Sequence, residues 1–405
     1  MLLQAKTPEE SSFLELMRYI STHDVGISHI NFLSSEILKH QSTYKDLDIV
    51  EISAKAKLPN GNEVFLNTTG KGDCMLRRTI SALMEINERI AVFEAKADIY
   101  DSYENLKHEA VHPSKMTLAP RCHYEEHSCI HWSTATSTWD GRKVLIPRPE
   151  RGCSSPLFHH TTNGAAAGNG QKDAINRGLL ELLERDAFLT SWFAKRLASP
   201  IEKPWPISLK EYSDWLAFWG FSITLHQLQS DYSLPIILAI ANQRHSDAVI
   251  PYSGIIIGCA GAYDIESAAE SAVNEVIQTV EVLLNIGLNP CDSLPPWMRE
   301  YALTEISHDL TFLSTKPVIS FPSQDSGQLT FTDLINSLKV SGIEVFFIDR
   351  TPTYLEKRGL SIIEVIAPGL QPLVLGVSPL DQRVAMNRFT SEEIPFVSFR
   401  PHPLG

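Results

Sequence analysis

The sequence predicts an α+β fold in which mixed sheets pack against long, largely buried helices. Three stretches, about Asp73 to Tyr103, Lys172 to Arg196 and Ile265 to Asn285, repeat apolar residues at the 3.6-residue helical period. Short runs that alternate at the strand period of two lie between them, and Asn60-Gly61 and Asp140-Gly141 supply hairpin-type turns.

In chain order, residues 8–20 suggest a short helix and Gly26 to Phe32 a strand, and Ile49 to Phe65 form a hairpin turned at Asn60-Gly61. The long helix from Asp73 follows, then strands from Trp132 to Ile146 around Asp140-Gly141. The small-residue run Asn163 to Gly170 leads into the second long helix. Strand-like stretches at Ser222 to His226, Pro235 to Ala241 and Ile255 to Ala260 precede the third. A helix near Leu329 to Lys339 and strands around Val345 to Ile348 and Ile362 to Ile366 complete the pattern. No charged block or Ser/Gly linker marks a domain boundary. The Pro-rich passage Asn289 to Trp297 is the best candidate break and reads as a loop or lid.

The 405 residues suit two or three average domains or one large one. A hydrophobic share of 43% and a charged share of 20% exclude a disordered or collagen-like chain. The formal net charge of -13 has the wrong sign for a protein that lives on nucleic-acid phosphates. The opening residues carry Glu9-Glu10 where a secretory signal needs an unbroken apolar run. The most apolar windows fall short of the roughly 20 residues of a membrane span, so the expected location is the cytoplasm, away from membranes. Six cysteines without a CxxC pair read as free thiols.

Cysteine and histidine crowd one segment, with Cys122, His123, His127, Cys129 and His131, then Cys153 and His159-His160. These are zinc-type ligands, but their spacing matches no finger or ribbon. The Thr/Ser alternation after His131 reads instead as a strand, with the cluster structural or incidental.

The informative pattern appears when the long helices are laid over one another: Ser81-x-x-x-Glu85-x-x-Glu88, Arg177-x-x-x-Glu181-x-x-Glu184 and Ser271-x-x-x-Glu275-x-x-Gln278. In each, the three positions share one helix face, and apolar residues such as Leu83, Ile86, Leu179, Leu183, Val273 and Val276 surround them. Carboxylates in such surroundings face solvent, pair with arginines such as Arg89 and Arg185, or hold cations. Three matched copies favour the cation. If they converge, five carboxylates and one amide offer oxygen ligands suited to Mg²⁺, and none of the three helices carries Glu-x-x-His, the di-iron signature. Magnesium held this way usually accompanies phosphates. Gly70-Lys71-Gly72 lacks the rest of a P-loop, yet its place before the first stripe lets Lys71 act either as a phosphate contact or as a solvated turn lysine.

With these stripes the sequence resembles the YcaO family, from about residue 20 to the end. Gly70-Lys71-Gly72, Ser81-Ala82-x-x-Glu85-x-x-Glu88-Arg89, Asn163-Gly164-x-Ala166-x-Gly168, Gly178-Leu179-x-Glu181-x-x-Glu184-Arg185-Asp186-Ala187-Phe188 and Ser271-Ala272-x-x-Glu275-x-x-Gln278 carry the resemblance, in order and spacing, and Asp24-Val25-Gly26-Ile27 sits where such proteins open their domain. Thr279 stands where an arginine often follows the third motif. The resemblance implies a YcaO-type fold whose buried helices line an ATP and Mg²⁺ site, with residues 1–66 an N-terminal α/β segment of the same domain and 67–405 the catalytic domain. It implies metal and phosphate binding by Glu85, Glu88, Glu181, Glu184, Glu275 and Gln278, and nucleotide contacts from Lys71, Ser81, Asn163 and Arg185. Such enzymes phosphorylate a backbone amide oxygen, which turns a poor leaving group into a good one.

The ending Phe399-Arg400-Pro401-His402-Pro403-Leu404-Gly405 is similar to the Pro-x-Pro-x-Pro ending of azoline-forming cyclodehydratases, with Gly405 in place of the third proline. This implies that a Cys, Ser or Thr of a ribosomal precursor peptide attacks the preceding carbonyl to give a thiazoline or oxazoline, as in bacteriocin-type antibiotic biosynthesis. Pro401, His402, Pro403 and Gly405 would then belong to the catalytic site. The implied partners are the precursor peptide, a leader-binding E1-like or winged-helix protein and a flavin dehydrogenase that oxidises azolines, with a homodimer also compatible. The alternatives are a thioamide or macroamidine synthase using the same activation, a non-catalytic scaffold of the same fold, and a metal-dependent hydrolase that needs no ATP.

Overall fold

The structure is a computed structural model that describes residues 25–33, 49–57, 63–70, 75–95, 97–116, 124–148, 161–243, 255–286, 317–321, 329–373 and 385–394. Its strands are β1 (Val25–Leu33), β2 (Ile49–Lys57), β3 (Glu63–Gly70), β4 (Ile99–Ser102), β5 (Cys129–Ser137), β6 (Lys143–Arg148), β7 (Ala165–Gly168), β8 (Ser199–Pro200), β9 (Phe221–Gln227), β10 (Ile236–Gln243), β11 (Ile255–Gly261), β12 (Phe346–Asp349) and β13 (Ser361–Ile366). The helices longer than one turn are α1 (Met75–Glu94), α2 (Gln171–Ala194), α3 (Ile207–Phe218), α4 (Ile265–Ile286) and α5 (Phe331–Val340). The chain divides into two compact units, residues 1–115, 123–179 and 345–367 in the first and 116–122, 180–344 and 368–405 in the second, so the division falls within α2.

The first unit holds two antiparallel sheets. β1-β2-β3 form one, and β2 and β3 are the expected hairpin, its turn at 60–61 lying outside the described residues. Helix α1 packs on β2 and β3, where Val50 and Ile52 are buried as are Leu83, Ile86 and Ile90 on the helix. The second sheet runs β4-β5-β12-β13-β7, with β6 also paired to β5. Gly141 closes the β5–β6 hairpin with φ +74°, a left-handed conformation that favours glycine. The long helix expected to reach Tyr103 stops at Glu94 instead. The Asp98 amide donates to Trp132 O at 2.8 Å and the Asp98 carboxylate accepts from Thr134 N at 2.6 Å, so pairing with β5 draws Ile99–Ser102 into the sheet. Tertiary pairing overrides a helical period that the sequence continues locally.

Strand β13 presents two chemically different faces. A Cβ built on Gly178 of α2 would meet the Val365 side chain at 2.8 Å, so Val365 faces that helix. Glu364 points the other way. Its side chain is 7% exposed and is clamped between Arg148, at the end of β6, and Arg350, just after β12. Burial alone would raise its carboxyl. The charges and hydrogen bonds of Arg148 and Arg350 outweigh burial and hold it below the usual carboxylate range.

The second unit is built on the antiparallel sheet β11-β10-β9-β8. Ile236 to Ala241 of β10 are buried without a break, as suits a strand covered on both faces. Helix α4 packs on β10 and β11, and α3 packs on β9 and α4. Helix α3 has no counterpart among the sequence expectations. Helix α5 begins at a capping box in which Thr330 and Asp333 satisfy each other's backbone amides, which explains its start slightly beyond the expected Leu329. The helix expected at 8–20 and the loop expected at 289–297 lie outside the described residues.

Helix and strand backbones touch in both units. A Cβ on Gly70 would lie 1.6 Å from Arg78 O, and one on Gly258 would lie 2.1 Å from Ala272 O. We expect Gly70→Ala or Gly258→Ala to destabilise the protein by more than about 3 kcal/mol in chemical denaturation, because backbone rather than a flexible side chain must move. The lowered carboxyl of Glu364 contributes stability above the unfolded-state value of about 4.3, lost as pH falls through the folded value. The stability gap between wild type and Glu364→Gln should therefore narrow between about pH 5 and pH 3 in denaturation at stepped pH.

Candidate functional site

The three stripes are built alike. Ser81, Glu85 and Glu88 on α1, Arg177, Glu181 and Glu184 on α2, and Ser271, Glu275 and Gln278 on α4 are half-buried or exposed. Beside them Ala82, Leu83, Ile86, Leu179, Leu183, Ala272, Val273, Val276 and Ile277 are buried. Each helix thus sinks its apolar flanks and keeps its carboxylate stripe at the boundary with solvent. On two of the three, the first glutamate is held by an arginine one turn on: Arg89 to Glu85 at 2.5 Å and Arg185 to Glu181 at 2.7 Å. On α4 the equivalent residue is Thr279, whose hydroxyl donates to Glu275 O at 3.1 Å.

Two stripe carboxylates also close sheet edges. Among the described residues strand β7 ends one sheet and β11 ends another, and no neighbouring strand pairs with their outward amides there. The Ala167 amide of β7 donates to Glu88 at 2.6 Å, and the Cys259 amide of β11 donates to Glu275 at 3.1 Å. A small residue follows the first stripe position on every helix and lets a neighbouring segment come close. Ala82 O accepts from the Thr68 hydroxyl of β3 at 2.9 Å. Gly178 passes Gly164 O so tightly that a Cβ would lie 2.4 Å from it, and Ala272 O touches Gly258 of β11. Read for its acids alone, the repeat missed this member. Its small size is legible at 82, 178 and 272 once the helices are aligned.

In the second unit the second and third stripes meet. Glu184 of α2 packs beside Gly261 of β11, where a Cβ would come within 3.8 Å of the Glu184 Cβ, and Glu275 reaches the same strand at Cys259. Burial drives the Cys259 thiol well above its ordinary range, and the charges of Glu184 and Glu275 push it further. In the first unit, Glu88 sits at β7, just after Asn163, whose side-chain amide donates to Thr161 Oγ1 at 3.1 Å. Lys71 and the segment holding Pro401, His402, Pro403 and Gly405 lie outside the described residues.

The donors suit Mg²⁺ in kind, being hard oxygens at half-buried positions. Among the described residues no three His, Cys, Asp or Glu side chains come together to hold a metal ion. Magnesium ordinarily takes one or two carboxylates and completes its shell with phosphate and water oxygens, and carboxylate pairs are what the stripes offer. Of the Cys/His segment, Cys129 and His131 lie on β5 as a strand reading expects, His131 packs against the Tyr100 ring, and His127 pairs with Glu125 at 3.1 Å.

Asp186, two residues past Glu184 and so about 200° around the helix, turns away from the stripe. It is 1% exposed. It accepts from Arg388 Nε at 2.9 Å and Nη2 at 2.7 Å, from Gln371 N at 2.8 Å and from the Tyr232 hydroxyl at 3.3 Å. Arg388 also reaches Asp231 at 2.8 Å. Arg196 ties Glu393 at 2.8 Å and Arg388 O at 2.7 Å. The C-terminal segment 385–394 is thereby pinned to the helix that carries Glu181, Glu184 and Arg185. Removing one partner strands a buried charge, so Arg388→Ala should cost about 3–5 kcal/mol in urea denaturation.

Residues 69–371 match the family profile described as YcaO cyclodehydratase, ATP- and Mg²⁺-binding. The chain is 27% identical over 339 residues to an uncharacterized protein of Methanothermobacter thermautotrophicus, covering 76% of this chain and 82% of that one. It superposes on a heterocyclase solved in complex with substrate and cofactor with TM-score 0.70 and 18% identity, all of this chain matching 59% of that one. It also superposes on the YcaO protein of Methanopyrus kandleri bound with AMPPCP and Mg²⁺, with TM-score 0.63 and 17% identity over all of this chain and 97% of that one. At such identities the superpositions establish the fold, while the family profile spans well over half of the sequence. The chain belongs to the YcaO family.

Proposed function

We propose that this protein is the ATP-dependent cyclodehydratase subunit of a peptide-modifying system, which converts Cys, Ser or Thr of a ribosomal precursor peptide to thiazoline or oxazoline. The observation that carries the reading is the thrice-repeated stripe, seated each time where a helix touches a strand, with Glu184 and Glu275 brought to one strand. The family's ATP and Mg²⁺ chemistry and the fold shared with a substrate-bound heterocyclase support it.

Glu85, Glu88, Glu181, Glu184, Glu275 and Gln278 hold Mg²⁺ and, through it, the phosphates. When bound, ATP would supply the phosphoryl group that makes an amide oxygen a good leaving group, and Mg²⁺ would neutralise the charge of its phosphates. Lys71, Ser81, Asn163 and Arg185 contact the nucleotide, and the arginine neutralises charge that builds on the phosphates. Their contribution is positioning: rigid helices and a satisfied strand edge hold the oxygen donors in place before the nucleotide arrives. Pro401, His402, Pro403 and Gly405 serve the catalytic site, with His402 moving the proton released by the attacking side chain. The partners are the precursor peptide, an E1-like or winged-helix protein that holds the leader as an added strand, and a flavin dehydrogenase. Among the described residues no helix is long and apolar enough to cross a membrane.

Calorimetric titration of ATP into the protein with and without Mg²⁺ tests the reading. Wild type should bind only with Mg²⁺, and Glu85→Ala and Glu184→Ala should each weaken binding at least about tenfold. Unchanged binding in both variants would remove the stripes from the nucleotide site. Reconstitution with partner and peptide should then show a mass loss of about 18 Da per azoline, one water each, as ATP is consumed. ATP-independent peptide cleavage would instead indicate a hydrolase.

A further inference from the structure

Arg148, Arg350 and Glu364 form a cluster apart from the carboxylate stripes, on the face of β13 turned away from α2. Two guanidiniums share one carboxylate: Arg148 donates through Nη1 to Glu364 Oε1, while Arg350 donates through Nε at 3.1 Å and Nη2 at 3.0 Å to Oε2. The side chains are 10%, 12% and 7% exposed. Two positive charges against one negative leave an excess of one cation in a nearly water-free place, which an unmatched buried charge does not tolerate cheaply. The strain is felt at Arg350, where burial lowers the guanidinium below its ordinary value, Glu364 raises it only in part, and Arg148 lowers it further. Asp98 lies on the far side of this balance, an exposed carboxylate whose Oδ2 already accepts from Thr134 N.

The donors left over have a definite shape. Arg148 spends Nη1 alone on Glu364, so its Nε–Nη2 edge, the side-on fork that takes two oxygens of one anion, is unspent among the described residues. Arg350 likewise keeps Nη1. The two guanidiniums meet the same carboxylate on different oxygens, Arg148 on Oε1 and Arg350 on Oε2.

We infer that Arg148 and Arg350 form a second anion site, which binds a phosphate-type oxyanion side-on to Arg148, with Glu364 holding the two guanidiniums in place. Asp98 is exposed and acts on Arg350, so the ligand supplies at Arg148 the second anion that the buried pair of guanidiniums lacks. Glu364 uses other donors than the ligand, but its negative charge repels a second anion on the same guanidiniums, and so it sets the affinity as well as the geometry. The oxyanion is either free inorganic phosphate or a phosphate of a nucleotide.

Titration calorimetry of inorganic phosphate into the full chain, at constant ionic strength set with chloride, tests this. Wild type should bind saturably in the millimolar range or tighter. Arg148→Lys should bind at least about tenfold more weakly, because lysine has no fork. Glu364→Gln should bind more tightly than wild type, an outcome that a merely structural triad does not produce and that also stands in for Arg148→Lys should that variant misfold. Glu85→Ala should bind phosphate as wild type does, which separates this site from the nucleotide site of the proposed function. Competition by AMPPCP in the Glu85→Ala background would identify a nucleotide phosphate as the ligand, and its absence would identify free phosphate. No saturable phosphate binding by wild type, or binding unchanged by both Arg148→Lys and Glu364→Gln, overturns the inference and leaves a structural triad only.

Discussion

The contact on which the rest depends is the near-touch of helix and strand backbones at Gly70, Gly178 and Gly258. At Gly258 the contact sets α4 against β11, and there the Cys259 amide donates to Glu275. Helix α1, held close to β3 at Gly70, reaches β7 with Glu88, which accepts from the Ala167 amide. The stripe is therefore a packing device before it is a chemical one, and the same local solution recurs in both units of the chain.

The arrangement also divides labour along α2. One face carries Glu181 and Glu184 beside solvent and β11, while the opposite face sinks Asp186 into a network with Arg388, Asp231, Tyr232 and Gln371. Helix α2 is consequently fixed in rotation as well as in position. A helix held only by apolar contacts can slide or roll by a fraction of a turn; one held by a carboxylate that accepts four hydrogen bonds has a single setting. The stripe inherits its rigidity from the side of the helix that does no chemistry.

Much of this was legible in the sequence, because the long helices repeat their acids at fixed spacing and the strands announce themselves by alternation. That the acids of each stripe share one helix face, flanked by buried apolar residues, could be stated without coordinates. What was not legible depended on distant partners. Ile99–Ser102 reads as the tail of a helix until Asp98 is seen to bond Trp132 and Thr134 across the sheet. Glu364 reads as a polar residue in an apolar strand, and its two arginines lie 216 and 14 positions away in sequence. Asp186 differs only by standing off the stripe, and its main partner follows it by 202 residues. Long-range ion pairing leaves no periodicity for a sequence reading to detect.

One modest hydrogen bond has an evolutionary consequence. The Gln371 side chain accepts from the Ala385 amide at 2.6 Å while its own amide is fixed by Asp186. The two ends of the stretch numbered 372–384 are thus stapled together by the fold itself. A substitution at Gln371 is therefore felt at Asp186 and at Ala385 together, so the three positions are constrained to change as a set while residues off this path vary singly.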